Sequence, residues 1–371
     1  MIDAKKIVID RTKEIACIPA PTFAEQDRAV RIRNWWMQDG ITDIATDEVG
    51  NLLAQLRPGA HASSESILIC AHMDTVFAAD VTHATRCEGD LIVGPSVADD
   101  SVALAALSML ESSLSRKTHL SVWIAATTGE EGLGNLSGIT HLLENFHSPI
   151  AAVIALEGNY LGRVNIIGVG SVRGRVEISG SGGHSWEEPK NPSAVESSAL
   201  CITEILRECG EIQASARSKG TVNVGRIVGG ESVNSRALTC AFDIEARSED
   251  PVLLATLERT IRTRVEALVD MEKVDVTWTD LGRRPAGGIK PDDPIALIAA
   301  TSLSKHGITP SFTAASTDAN AAYARGIPAI TLGVAFGGAT HTELEWIDGR
   351  SVGRGIDALC DTVERLAEGG W

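Results

Sequence analysis

The sequence predicts an α/β fold in which an α/β/α domain with a mostly parallel central sheet is interrupted by an inserted α+β domain with an antiparallel sheet. Three observations predict it. The chain has 371 residues, which is long enough for two domains. Continuous apolar runs alternate with helical segments at both ends of the chain. In the middle, apolar and polar residues alternate instead, which is typical of half-exposed antiparallel strands.

Four apolar runs define the expected central sheet, at residues 67–71, 120–126, 151–156 and 329–332. Uninterrupted apolar residues are typical of strands that are buried on both faces. A helix of small residues is expected at 102–110. An earlier helix is expected through Trp35 and Trp36, because Thr22 and Glu25 have the spacing of a capping box ahead of it. Buried strands separated by helices indicate a sheet covered on both sides.

The middle of the chain predicts a sheet and helices of its own. Strands are expected at 173–179, 221–228, 238–246 and 274–278, and helices at 193–207 and 251–269. The pattern of buried strands returns after this stretch. We therefore expect an inserted domain at 172–284 and a discontinuous main domain formed by 1–171 and 285–371.

The composition excludes several classes of partner. The net charge of −16 argues against nucleic acid, because phosphate recognition needs a basic surface. The sequence has no run of about 18 apolar residues, so we expect no membrane span, and its first residues lack the apolar stretch of a signal peptide. The seven cysteines form no CxxC pair, which is typical of reduced thiols in a cytoplasmic protein.

Histidines and carboxylates follow the apolar runs, at the carboxyl ends of strands where α/β sheets bind ligands. His72 and Asp74 follow the first run. His72 is a candidate metal ligand, and Asp74 is a candidate acceptor for its second ring proton. Asp99 and Asp100 open the expected helix at 102–110. One of these carboxylates would suffice as a helix cap, so the pair favours a role in holding cations.

The later clusters follow the same rule. Glu130 and Glu131 lie between glycines after the run at 120–126, so one can bind metal while the other accepts a proton from water. Glu157 follows the run at 151–156, and His341 follows a glycine-rich turn. Taken alone, each of these clusters is also consistent with a solvated loop. Together they suit a pair of Zn²⁺ ions about 3.5–4 Å apart, with Mn²⁺ or Co²⁺ as alternatives.

The order of these motifs resembles a known family. HMDTV, ADD, GEEG, EG and HTE occur in the order found in the co-catalytic zinc peptidases and deacylases. These include glutamate carboxypeptidase, aminoacylase, acetylornithine deacetylase, succinyl-diaminopimelate desuccinylase and peptidase T. The resemblance covers essentially the whole chain. It implies a two-metal amidohydrolase in which a metal-bridged water attacks the amide carbonyl.

The resemblance also implies a role for each motif residue. Glu130 would be the general base and Asp74 would orient His72. The implied metal ligands are His72 and Glu157 on one ion, Glu131 and His341 on the other, and Asp99 on both.

In the inserted domain, the resemblance implies that His184, Asn234 and Arg247 contact the substrate. His184 would support the oxyanion and reach the active site of a partner subunit, and Arg247 would grip a substrate carboxylate. The inserted domain would thus be a lid that also joins a homodimer. Two positions depart from the pattern. Ser101 stands where relatives often carry lysine, which implies a changed environment on the substrate side, and Ala237 stands where many carry proline.

These features favour a small-molecule substrate whose scissile amide lies next to a free carboxylate, because Glu157 and Arg247 match the carboxypeptidase and deacylase branches. The expected enzyme is an N-acyl amino acid deacylase or a carboxypeptidase or dipeptidase. The alternatives are an aminopeptidase, a hydrolase of a non-peptide C–N bond (carbamoyl, amidine or arylamine), and a catalytically silent binding module. The intact GEEG argues against the last of these.

Overall fold

The computed structural model describes residues 4–61 and 64–371. The chain divides into two compact units. The first consists of Met1–Gly168 and Gly288–Trp371, and the second of Val169–Gly287. The second unit contains the whole of the expected insertion at 172–284 and extends slightly beyond it at both ends.

Residues 4–61 and 64–168 contain five α-helices and eight strands. The helices are α1 (Ala4–Ala16), α2 (Gln26–Gln38), α3 (Val102–Leu107), α4 (Met109–Ser113) and α5 (Ser137–Asn145). The strands are β1 (Ile44–Thr46), β2 (Leu52–Arg57), β3 (Ser66–His72), β4 (Arg86–Glu88), β5 (Leu91–Val93), β6 (Ser121–Thr127), β7 (Ile150–Leu156) and β8 (Arg163–Gly168).

The remaining elements follow in chain order. The second unit has β9 (Gly170–Ser179), β10 (Gly183–His184), α6 (Ala194–Ser215), β11 (Gly220–Gly229), β12 (Ser235–Arg236), β13 (Thr239–Ser248), α7 (Pro251–Glu272) and β14 (Asp275–Arg284). The chain then continues with β15 (Gly287–Gly288), α8 (Pro294–Lys305), β16 (Ser311–Ala315), α9 (Ala319–Tyr323), β17 (Ala329–Leu332), β18 (Gly337–Gly338), β19 (Trp346–Asp348) and α10 (Gly349–Ala367).

A mostly parallel sheet forms the centre of the first unit. Its strand order is β1-β2-β6-β3-β7-β17-β8-β15, with β16 beside β8, and the strands from β6 to β17 are parallel. In β3, Ile67 and Ile69 enter one apolar cluster, while Leu68 and Cys70 enter another. Successive side chains of a strand point to opposite faces, so both faces of the sheet are covered. The expected fold class is confirmed, and so are the four buried strands.

The second unit has an antiparallel sheet with helices on one face. Its strand order is β11-β13-β9-β14. The side chains of β13 alternate, so that Phe242 and Ile244 pack in one core with residues of α6 and α7. The opposite face carries charged residues. The expected α+β composition is therefore confirmed, with each strand longer than the sequence pattern indicated.

Two local expectations are wrong. Thr22 and Glu25 do not form a capping box on α2: the hydroxyl of Thr22 donates to Asp74, and the Glu25 carboxylate accepts from the backbone N–H groups of Phe23 and Gly129. Because the two side chains bind loop residues, they are not available to cap α2. The helix expected at 102–110 is split at Ser108 into α3 and α4.

No helix within residues 4–61 and 64–371 combines the length and the apolarity that crossing a membrane requires. Of the seven free cysteines, Cys70, Cys201, Cys209 and Cys240 are buried.

Two glycines of α10 allow a test of how tightly this helix packs. A Cβ on Gly355 would lie 1.8 Å from the carbonyl oxygen of Val334, whereas a Cβ on Gly353 would meet nothing closer than 3.7 Å. We expect Gly355→Ala to lower the free energy of unfolding by about 1–3 kcal/mol, because backbone must move to admit the methyl group. Gly353→Ala is the matched control and should raise it by about 0.5–1 kcal/mol, as alanine does within helices. Urea unfolding of both variants measures the difference, and equal effects would contradict the packing.

Candidate metal centre

The candidate ligands lie at one edge of the central sheet. His72 is the last residue of β3, Glu131 follows β6, and Glu157 directly follows β7. These three strands are parallel neighbours, so their carboxyl ends meet at the same edge. Of the two remaining residues, Asp99 lies in a short, irregular helical turn, Val97–Ser101, that leads into α3, and His341 lies in a loop. All five side chains belong to the first unit.

The five residues form two groups that share one carboxylate. In the first group, ligand atoms of His72, Asp99 and Glu157 lie within 4.8 Å of one another, and in the second those of Asp99, Glu131 and His341 do so. The Nε2 atom of His72 is 2.8 Å from Oδ1 of Asp99, and the Nε2 atom of His341 is 3.1 Å from Oδ2. Each oxygen of Asp99 thus faces a different histidine, as a bridging ligand requires.

Glu130 lies beside these groups. Its carboxylate belongs to a third set in which one atom each of His72, Glu130 and Glu131 lie within 4.8 Å of one another. The Glu130 side chain is buried. A carboxylate at this distance from two candidate ligands can exchange protons with water held between them.

Asp74 organises the loop that carries both glutamates. Its Oδ1 accepts from the backbone N–H of Glu130 and its Oδ2 from that of Glu131, each at 2.9 Å. The Nδ1 atom of His72 is 3.0 Å from the backbone carbonyl oxygen of Asp74 and 3.5 Å from its carboxylate. Asp74, which was expected to orient His72, thus contacts the ring chiefly through its main-chain carbonyl. The Asp74 carboxylate instead accepts from two backbone amides and from the Thr22 hydroxyl.

The pKa values show a surplus of buried negative charge. Burial and the like charges of Asp99 and Asp100 raise the pKa of Glu157 well above its ordinary value. Burial opposes ionisation of Asp99 too, but His341 and His72 outweigh it and lower the pKa of Asp99. Burial works against the charged ring of His72, yet Asp74 and Asp99 hold its pKa well above the ordinary value. The side chains therefore retain protons that divalent cations would displace.

The residues present fit two metal ions. Imidazole nitrogens and carboxylate oxygens are the donors that Zn²⁺, Mn²⁺ and Co²⁺ accept. In the part of the chain that the structure describes, the buried Oδ1 of Asp99 accepts no hydrogen bond, although the Nε2 atom of His72 is near it. A buried carboxylate oxygen without a donor is costly, and a cation between these two atoms would satisfy both.

Two residues that support the site, Glu345 and Arg28, were missed in the sequence. Asp100, which the sequence pairs with Asp99 as a candidate for holding cations, accepts from the backbone N–H of Gly158 at 2.8 Å. Glu345 has no exposed surface and accepts from the backbone N–H of His341 at 2.9 Å. Burial raises the pKa of Glu345 to about 7. An acidic residue shortly after a candidate ligand, ahead of a strand, was the available signal for Glu345.

Arg28 is the second missed residue, and its side chain is fully buried. Its guanidinium donates to the carbonyl oxygens of Ile18 and Met73 and to the hydroxyl of Ser96. Burial lowers the pKa of Arg28 to about 10, against the opposite effect of nearby carboxylates, of which Asp74 is the first. The signal for Arg28 was its place on the apolar face of α2, four residues before Ile32.

Ser101, one of the two departures from the motif pattern, lies in the interior beside the candidate ligands' segment. Its side chain is fully buried, and its hydroxyl lies 3.5 Å from that of Ser96, to which Arg28 donates. Ser101 is thus linked through Ser96 to a buried arginine.

The candidate substrate residues lie in the second unit, in two places. His184 pairs with Ser235 in the ladder of β10 and β12, so Asn234 is next to it. Arg247 lies near the far end of β13 and donates twice to Glu245, at 2.6 and 3.0 Å. Ala237 is buried and lies in the short connection between β12 and β13.

Cations that acidify water, with a carboxylate base beside them, perform hydrolysis, and this chain is a metal-dependent hydrolase. Residues 68–365 match the model of Peptidase family M20/M25/M40. The chain belongs to that family, and the resemblance drawn from its motifs is confirmed.

Solved structures share the fold over nearly their whole length. An aminopeptidase PepT from Bacillus cereus is 20% identical with a TM-score of 0.81, covering 98% of this chain and 99% of its own. A dinuclear metal-binding M20 peptidase from Bacillus subtilis is 14% identical with a TM-score of 0.71, covering 98% and 99%. A hydantoinase/carbamoylase family amidase from Burkholderia vietnamiensis is 15% identical with a TM-score of 0.70, covering 99% and 98%. No curated protein matches the sequence significantly.

Arg28 offers a test of the charge balance beneath the site. We expect Arg28→Met to lower the free energy of unfolding by about 3–5 kcal/mol, because it leaves buried carboxylates without their cation. Arg31→Met, on the same helix, is the control: Arg31 pairs with Glu14 at 42% side-chain exposure, and such pairs contribute about 0–1 kcal/mol. Denaturant unfolding of the two variants measures both effects. Similar losses would show that the buried guanidinium does not balance the site.

Proposed function

We propose that this enzyme hydrolyses an amide bond next to a free carboxylate in a small substrate, as an N-acyl amino acid deacylase or a carboxypeptidase or dipeptidase does. The observation that carries the proposal is the buried Glu130 carboxylate within 4.8 Å of His72 and Glu131. That arrangement provides a proton acceptor next to the donors for two cations. It serves hydrolysis and has no evident use in a binding module.

In the proposed mechanism, His72, Asp99 and Glu157 would hold one ion, and Asp99, Glu131 and His341 would hold the other. Two divalent cations held there would supply Lewis-acid chemistry, which favours ionisation of water and stabilises negative charge on a carbonyl oxygen. Glu130 accepts the proton of the attacking water and delivers it to the leaving nitrogen. Asp74 keeps Glu130 in place through the amide that it holds. We propose zinc as the native metal, with manganese or cobalt as alternatives. Elemental analysis of the purified protein distinguishes the three metals.

Arg247 is the proposed partner of the substrate carboxylate. Arg247 and Arg173 both bind Glu245, at 2.6 and 2.7 Å. These two guanidinium groups lower the pKa of Glu245 although burial opposes it, so the carboxylate stays ionised. Two positive charges and one negative charge leave a net positive patch that attracts an anion. A planar guanidinium suits bidentate contact with a carboxylate.

Distances within the second unit support a homodimer. His184 and Asn234 lie beyond the Thr239 end of β13, while Arg247 lies near its other end. Eight residues of strand span about 26 Å, which is more than a dipeptide-sized molecule can bridge. If all three residues contact one substrate, they come from two copies of the chain. We therefore propose a homodimer in which the second unit of one subunit completes the site of the other.

The substrate class is tested with matched pairs of compounds. Each N-acetyl amino acid or dipeptide is compared with the same compound carrying a C-terminal amide instead of the free acid. We expect kcat/KM to be about 10- to 100-fold higher for the free acid, because a hydrogen bond to a charged group contributes about this factor to binding. Arg247→Ala should remove most of this preference. Arg175→Ala is the matched control, since Arg175 pairs with Asp243 rather than with Glu245, and should retain the preference.

Other outcomes would contradict the proposal in distinct ways. A requirement for a free amino end, with indifference to the C-terminal amide, would identify an aminopeptidase. Turnover of carbamoyl, amidine or arylamine compounds alone would identify hydrolysis of a non-peptide C–N bond. Absence of hydrolysis in the zinc- and manganese-loaded protein would favour a binding module.

The shared site is tested by complementation. We expect Glu130→Gln to lower kcat by about 10²- to 10⁴-fold, the value of a general base, while its metal content stays unchanged. His184→Ala should also be nearly inactive. In a homodimer with shared sites, refolding the two variants together at equal amounts should restore about a quarter of the wild-type activity, because half of the dimers then contain one complete site.

Each variant refolded alone is the control and should stay inactive. Sedimentation velocity on the same samples gives the oligomeric state. A monomer, or a dimer without recovery of activity, would contradict the shared site and leave the hydrolytic role of Glu130 intact.

A further inference from the structure

The two groups of candidate ligands are supported in different ways. In the first group, His72 and Glu157 lie at the ends of two neighbouring parallel strands. The backbone N–H of Glu157 also donates to the carbonyl of Leu332 at 2.9 Å. The positions of these two ligands therefore follow from the central sheet itself.

In the second group, His341 lies in a loop outside any strand. Its φ of 65° lies in the left-handed region, as does that of Ala339 at 56°. Residues other than glycine are rarely found there, so the surrounding contacts must hold this conformation. The side chain of His341 is 54% exposed, while that of Asp99 is 9% exposed. Packing alone therefore does little to fix its position.

Glu345 contacts the backbone of both segments that carry these ligands. One oxygen accepts from the N–H of His341 at 2.9 Å. The other is 3.3 Å from the N–H of Ala98 and 3.4 Å from that of Asp99. The main chain of Glu345 adds a bond from the N–H of Gly94 to its carbonyl at 2.9 Å. A single buried carboxylate thus joins the His341 loop to the bridging aspartate.

We propose that Glu345 is a positioning residue for the second metal ion, the one shared by Asp99, Glu131 and His341, and that it has little influence on the first. The proposal rests on the two-ion site described above. An isosteric amide cannot replace this carboxylate, because its NH₂ group would point at a backbone N–H on one side or the other. The expected result is an asymmetric loss, in which one ion stays bound and the other is released.

The test is a metal titration of the chelator-treated protein with Co²⁺, followed by its visible absorption and by competition with a chromophoric chelator. Wild-type protein should bind two equivalents. In Glu345→Gln the first equivalent should bind as in wild type, and the second should bind about 10- to 100-fold more weakly, the range for residues that position metal ligands. Glu345→Asp, which keeps the charge, should recover part of the loss. His341→Ala, which removes a candidate ligand, gives the loss of Co²⁺ affinity with which the loss in Glu345→Gln is compared.

Glu343→Gln is the matched control, because Glu343 is an exposed residue of the same loop. It should bind both equivalents as wild type does. Equal weakening of both equivalents in Glu345→Gln, or an unchanged second equivalent, would overturn the proposal. If Glu345→Gln does not fold, the same comparison is made with Glu345→Asp, in which only the second equivalent should weaken. Wild-type protein that binds no Co²⁺ would instead contradict the two-ion site itself.

Discussion

The structure depends on the concentration of carboxylates at the carboxyl edge of the central sheet. Asp99, Glu130, Glu131 and Glu157 are all buried, and a buried charge without a partner costs several kcal/mol. The fold meets this cost with histidines, backbone amides and one buried guanidinium. These partners leave some negative charge unbalanced, as the raised pKa of Glu157 shows. That remainder gives the site its affinity for divalent cations.

Much of the fold could be predicted from the sequence because its signals are local. The buried strands appear as continuous apolar runs, and the run at 329–332 coincides with β17. The candidate ligands could be located because they directly follow such strands. The local pattern fails where a side chain serves a distant segment. Thr22 and Glu25 have capping-box spacing, yet they bind Asp74 and Gly129 instead.

The residues that support the site could not be found in this way. The contact between Glu345 and Ala98 spans 247 positions, and no periodicity in the sequence links the two. The contact of Arg28 with the carbonyl oxygen of Met73 likewise joins segments that are distant in the sequence. Motifs therefore identify the residues that perform chemistry, whereas the residues that hold them in place become visible only when the chain is folded. The distance between His184 and Arg247 likewise follows only from the fold, because the two residues lie toward opposite ends of β13.

One carboxylate also fixes the order of two neighbouring glutamates. Asp74 receives the main-chain amides of both Glu130 and Glu131, one on each oxygen. A shift of the turn by one residue would break both bonds at once, so the two side chains cannot exchange places. The backbone thus keeps the candidate base and the candidate ligand in separate, fixed positions, whichever cation binds.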